Sequence, residues 1–127
     1  ITGGRVMVAR AGGGRRVGTG HRAELYVAAL LGSHAAAGDV VALCDTNPTR
    51  LAYHQDLHRR ARPAAPVPPG YRPEAFGELV ARERPDVVVV TTVDRYHATY
   101  VVAALEAGCV VVVEKPLTVD AEGCRRI

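Results

Sequence analysis

A chain of 127 residues, 48% of them apolar, holds enough material for one core and one domain over residues 1–127, and too little for two. The net charge of +3 comes from dispersed arginines, with short clusters only at Arg15-Arg16 and Arg59-Arg60-Ala61-Arg62. With no Trp and a single Phe to form a stacking platform, nucleic acid is not expected as a partner. No apolar run reaches membrane-spanning length, so no membrane partner is expected either. Cys44, Cys109 and Cys124 lack metal-ligand spacing and cannot all pair, which predicts no metal site and a reducing, cytoplasmic setting. The chain starts at Ile1 rather than Met and ends at Ile127 inside a helix-like pattern, so we expect a fragment of a longer protein.

In chain order, Arg5-Val6-Met7-Val8-Ala9 predicts a first strand, followed by a glycine-rich, basic stretch. Residues 21–31 predict a helix with Leu25, Ala28, Ala29 and Leu31 on its inner side and Gly32 as its stop. Residues 39–44 form an apolar, β-branched run without polar alternation, as do residues 86–92 and 110–113. Strands read this way when both faces of a parallel sheet are covered. Asn47-Pro48 supplies an N-cap and an N1 proline for a helix to about Arg60. Prolines 63, 66, 68, 69 and 73 allow only a short edge strand near Val67 or Tyr71. A helix is predicted over residues 73–84, stopped by Pro85. Another is capped by Asp94, turns Tyr100, Val101, Ala104 and Leu105 inward, and ends at Gly108. Strands alternating with helices predict a doubly wound α/β domain, ordered 3-2-1-4-5-6, of the Rossmann dinucleotide-binding kind.

Gly18-Thr19-Gly20-His21-Arg22-Ala23 fits G-x-G-x-x-A at the opening of the first helix. The first glycine permits a tight turn, the second lets backbone approach a pyrophosphate, and Ala23 lets helix and strand pack closely. Thr19, His21 and Arg22 belong to the same loop and helix start, whose free N–H groups face the phosphates. Asp45, at the end of the second strand, stands where a carboxylate accepts from the adenosine ribose; that favours NAD, while Arg50 one turn later leaves NADP open. Residues 10–17 separate the first strand from Gly18, and residues 10–16 are expected to form an exposed, mobile excursion. Lys115 is the one lysine among sixteen basic residues and lies directly after the last apolar run, where open α/β sheets carry their chemistry. It is the candidate catalytic residue, with Glu114 beside it as a cofactor-side residue able to orient it.

These motifs, with Thr91-Thr92-Val93-Asp94-Arg95-Tyr96-His97, Ala104-Leu105-Glu106-Ala107-Gly108 and Glu114-Lys115-Pro116, occur in an order that resembles the N-terminal domain of the Gfo/Idh/MocA family, relatives of glucose-fructose oxidoreductase and inositol dehydrogenase. The resemblance covers almost the whole chain. It implies an NAD(P)-dependent oxidoreductase of a sugar, cyclitol or related alcohol, in which Gly18 and Gly20 hold the pyrophosphate and Asp45 the ribose. Thr91, Thr92 and His97 would line the nicotinamide half of the cleft, and Lys115 would meet the substrate hydroxyl. Val93 departs from the family's proline, and the excursion interrupts its strand-to-glycine junction. The family's acid/base aspartate and histidine would lie on a second domain beyond Ile127, through which a homo-oligomer is expected. An NAD-dependent glycosidase on the same fold and a non-catalytic NAD(P)-binding regulator are the alternatives.

Overall fold

The structure, a computed structural model, describes residues 4–9 and 20–127, with side chains from residue 22 onward. Among the described residues, β1 (Gly4–Ala9), β2 (Gly38–Cys44), β3 (Gly70–Tyr71), β4 (Val87–Val90) and β5 (Val110–Val113) form one sheet in the order β3-β2-β1-β4-β5. Every neighbouring pair is parallel. Between the strands run α1 (Gly20–Leu31), α2 (Pro48–Ala61), α3 (Phe76–Glu83) and α4 (His97–Glu106), and α5 (Ala121–Arg126) follows β5. The expected doubly wound architecture is therefore present over its first five strands, and no sixth strand occurs among the described residues.

Two cores account for the apolar strand runs. On one face Val88 and Val90 pack with Ala42, Cys44, Leu79, Val101 and Ala104 beneath α3 and α4. On the other, Val89, Val40 and Leu43 pack with Ala23 and Val27 of α1. Val40 and Leu43 reach the same core although three residues apart, because the β1–β2 register slips by one: Val6 pairs with Val40, and Met7 with Ala42. Burying a Leu or Val side chain fully contributes about 1.5–3 kcal/mol, and Leu79, Val27, Val88, Val90 and Val101 are all at that limit. Burial also pushes the Cys44 thiol up from 9.0 to about 12, so it packs as a small apolar group.

Several local expectations change. The buried face of α1 is Ala23 and Val27, with Leu25 57% exposed, because this helix lies on the sheet through its small residues. Gly108, at φ 80°, supplies the left-handed stop after α4; Gly32 does not adopt that conformation, and the chain after α1 runs on through turns, with its N–H on the Ala28 carbonyl. The α2 cap is as read: Asn47 accepts from the Thr49 N–H at 2.9 Å and Pro48 opens the helix. The segment before Pro85 splits into a 3₁₀ turn, Pro73–Ala75, and α3, which stops at Arg84 with φ 46°. Asp94 begins a 3₁₀ turn, Asp94–Tyr96, without capping a helix through its side chain, and Leu105 faces outward at 44% exposure. β5 departs from the covered-strand reading: Val111 and Val113 pack inward, whereas Val110 and Val112 are exposed.

Candidate functional site

The strand register aligns the candidate residues. Ala9 pairs with Cys44 on one side and Val90 on the other, and Val90 pairs with Val113. The next residues, Asp45, Thr91 and Glu114, therefore leave the sheet along one carboxyl edge, and Lys115 follows. With strands about 4.8 Å apart, Asp45 and Glu114 stand roughly 14 Å from each other across the edge. Gly20 begins α1 beside this row, after the central strand β1. Gly18, Thr19, the side chain of His21 and residues 10–16 lie outside the described residues.

Asp45 is 4% exposed. Its Oδ1 accepts from the Asn47 N–H at 2.8 Å and from the Thr46 hydroxyl at 3.4 Å, and its own N–H donates to the Tyr71 carbonyl of β3 at 3.1 Å. The turn reading and the ribose reading are thus compatible, since the turn sets the direction of the carboxylate at the end of β2. Ala23, 2% exposed against Val40, Leu43 and Val89, fills the close helix–sheet contact expected of the last position in the glycine pattern. A helix start after the central strand, a small packing residue one turn in, and a fixed carboxylate at the neighbouring strand's end fit the adenosine half of NAD by geometry and donor chemistry.

At the other half, Thr91 and Thr92 are buried at the end of β4, and the Thr92 hydroxyl lies 3.3 Å from the Val93 carbonyl. His97 is 0% exposed. Its Nδ1 lies 2.7 Å from the Pro116 carbonyl and its Nε2 3.0 Å from the Thr92 carbonyl. The expectation that His97 lines the cleft is corrected accordingly: the ring sits behind the wall, with both nitrogens turned to backbone. Lys115 is exposed and, among the described residues, makes no hydrogen bond or ion pair.

Glu114 does not turn toward Lys115. Its Oε1 accepts from the Tyr26 hydroxyl at 3.1 Å, and its Oε2 lies 3.9 Å from Arg22 Nε, so its carboxylate is tied to α1. Arg22 is 56% exposed, and at that distance the ion pair contributes little. Desolvation, with the Glu114 carboxylate close by, raises the Tyr26 hydroxyl above its usual 10.0 and keeps it a donor. Sequence reasoning missed Tyr26. Its signal was the four-residue spacing to Arg22, which puts both on one helix face.

Two hollows among the described residues lie elsewhere. One of about 460 Å³ lies between Phe76, Val80, Ala103 and Cys109, and one of about 410 Å³ beside Asp39, His58 and Arg62. Both are at the amino-terminal side of the strands, whereas the carboxyl edge carries the aligned carboxylates, threonines and lysine, and ligands of open α/β sheets bind at that edge.

A family profile described as an oxidoreductase family with an NAD-binding Rossmann fold matches residues 16–127. The chain belongs to the Gfo/Idh/MocA oxidoreductase family. Inositol 2-dehydrogenase of Klebsiella pneumoniae is 37% identical over 75 residues, 57% of this chain and 22% of that enzyme. Inositol 2-dehydrogenase of Acidothermus cellulolyticus is 37% identical over 89 residues, 70% of this chain and 24% of that enzyme. Matches to the curated inositol dehydrogenases therefore span about a quarter of their length or less. The fold is shared with scyllo-inositol dehydrogenase from Lactobacillus casei, solved with NAD(H) and scyllo-inositol, at TM-score 0.69 and 19% identity over 95% of this chain and 31% of that one. It is shared too with the WlbA dehydrogenase from Chromobacterium violaceum, in complex with NADH and UDP-GlcNAcA, at TM-score 0.68 and 24% identity over 99% of this chain and 32% of that one.

Proposed function

We propose that this chain is the cofactor-binding part of an NAD-dependent dehydrogenase acting on a cyclitol or sugar-like alcohol, with Lys115 beside the reacting hydroxyl. The observation that carries the reading is the position of Lys115: an exposed ammonium, without a partner among the described residues, two residues past the end of β5 and one strand from the Thr91-Thr92 end of β4. NAD, bound through Gly18, Gly20, the α1 start and Asp45, would supply a hydride acceptor. As the carbinol carbon loses hydride, its hydroxyl must lose a proton, and a fixed ammonium beside the oxygen stabilises the developing negative charge. Asp45 accepts from ribose hydroxyls and disfavours a 2′-phosphate by charge, which makes NAD the preferred cofactor over NADP. The inositol dehydrogenases among its relatives support the substrate class. Cytoplasmic location, in keeping with buried, free Cys44 and Cys109, and a homo-oligomer formed through the rest of the protein belong to the same proposal. Among the described residues no helix is long and apolar enough to cross a membrane.

The test is Lys115→Ala in the full-length protein, assayed with NAD and a panel of inositols and sugars. Turnover should fall about 10²- to 10⁴-fold, with a melting temperature close to the parent's, because an exposed side chain carries little packing. Turnover within a few fold of the parent would remove Lys115 from the chemistry.

A further inference from the structure

The turn that carries Lys115 is held from behind by a side chain with no surface of its own. His97 opens α4 and is fully buried, yet its two ring nitrogens face two backbone carbonyls on different segments: Thr92 at the end of β4 and Pro116 directly after Lys115. Those segments otherwise meet through strand pairing that ends at Val90 and Val113, and through the Glu114 N–H donating to the Val90 carbonyl at 3.2 Å. Among the described residues the ladder ends there. Carbonyl oxygens only accept, so the ring must donate. An imidazole has one N–H to give, so it donates to one carbonyl and fills the space against the other segment.

We propose that His97 is a positioning residue for Lys115: a buried ring seated between the Thr92 and Pro116 carbonyls that donates to one, packs against the other, and so sets the lysine-bearing turn against the end of β4. This rests on the dehydrogenase reading of Lys115, although the seating of the ring does not. The Lys115 side chain has no partner of its own among the described residues, so its direction is inherited from its backbone. On the upstream side Glu114 is tied to Tyr26 of α1. On the downstream side the His97 ring reaches the Pro116 carbonyl. Removing it frees one end of a short turn while both cores stay intact.

The experiment uses the full-length protein with His97→Phe, which keeps an aromatic ring and removes both ring nitrogens, and His97→Gln, which keeps a donor on a more flexible side chain. Hydrogen exchange followed by peptide mass spectrometry should show faster exchange over residues 114–119 in His97→Phe, with α2 unchanged and His97→Gln intermediate. Misplacing a reacting group by about an ångström costs roughly a hundredfold in rate, so kcat should fall by about that factor in His97→Phe with KM within threefold, and His97→Gln should recover part of it. In a Lys115→Ala background, His97→Phe should lower kcat no further, because a residue acting through the lysine has nothing left to position. Parental exchange at residues 114–119 in both variants overturns the ring's hold on the turn, and additive losses in the double variant overturn its action through Lys115. If His97→Phe does not fold, His97→Gln with parental exchange and parental kcat overturns the proposal by itself. A Lys115→Ala variant with parental turnover would instead end the dehydrogenase role of the lysine and the His97 role built on it, leaving the exchange data to report on the ring's hold on the turn alone.

Discussion

The Asp45 carboxylate accepts the Asn47 amide at 2.8 Å, so two substitutions separate its local role from its proposed ribose-binding role. Asp45→Asn keeps an oxygen for the turn and loses the charge; Asp45→Ala loses both. A charge-assisted bond to ribose contributes roughly 1.5–3 kcal/mol, so Asp45→Asn should weaken NAD about tenfold and narrow the gap to NADP. Asp45→Ala should do the same and also loosen the entry to α2. Calorimetric titration of the full-length protein with both cofactors measures this, and an unchanged preference in Asp45→Asn would exclude ribose recognition by that carboxylate. At this scale the sequence was informative about position and less so about direction. Asp45 and Lys115 were legible because each follows an apolar run, and strand ends are where an open sheet presents polar groups. The directions of Glu114 and His97 were not legible. Tyr26 lies 88 residues from Glu114, and Pro116 lies 19 from His97, and no local pattern pairs them.

Among the elements, α2 carries a buried histidine that makes its stability depend on pH. His58 is 5% exposed, its Nδ1 has no hydrogen-bond partner among the described residues, and burial together with Arg62 holds its imidazole below the usual 6.5, while Asp39 opposes that shift. A group whose folded value is depressed contributes stability above its unfolded value and loses it as the pH falls. Melting temperatures taken from pH 7 down to pH 5 should therefore drop more steeply in the parent than in His58→Leu. Equal slopes would show that His58 does not titrate on unfolding. The elements themselves were largely readable. Runs such as Val87–Val90 need cover on both faces, and Asn47-Pro48 caps and opens α2 in one step. The inner face of α1 was not, because alanines and leucines occur around most of that helix, and closeness to the sheet selected the side with Ala23 over the side with Leu25.

For the molecule as a whole, β5 is the least finished part. Four valines in a row read as a strand covered on both sides, but a run of this kind does not say whether another strand lies beyond it. Val110 and Val112 stand 53% and 38% exposed on an unpaired edge, near Leu117 and Val119 in sequence, which are also exposed. Such an edge templates association. The 127-residue polypeptide by itself should associate with rising concentration, and Val112→Lys should shift it toward monomer by static light scattering. Monomeric behaviour of the parent at high concentration would show the edge to be protected in solution.

The order of the strands also separates two inheritances. Everything that would choose the cofactor, from Gly18 to Asp45, belongs to the crossover from β1 to β2, on one side of the central strand; the Thr91-Thr92 end and Lys115 belong to β4 and β5 on the other. The halves meet at the β1–β4 pairing, in the two cores, and where Tyr26 of α1 holds Glu114, while Asp45 and Glu114 stand roughly 14 Å apart. Under the proposed function, substitutions at Asp45 would retune coenzyme choice at a distance from the lysine, whereas changes at Tyr26 would reach it through Glu114. On that reading the β4–β5 half of the edge would be free to vary while Asp45 stayed fixed, so the two halves of one edge would carry different histories.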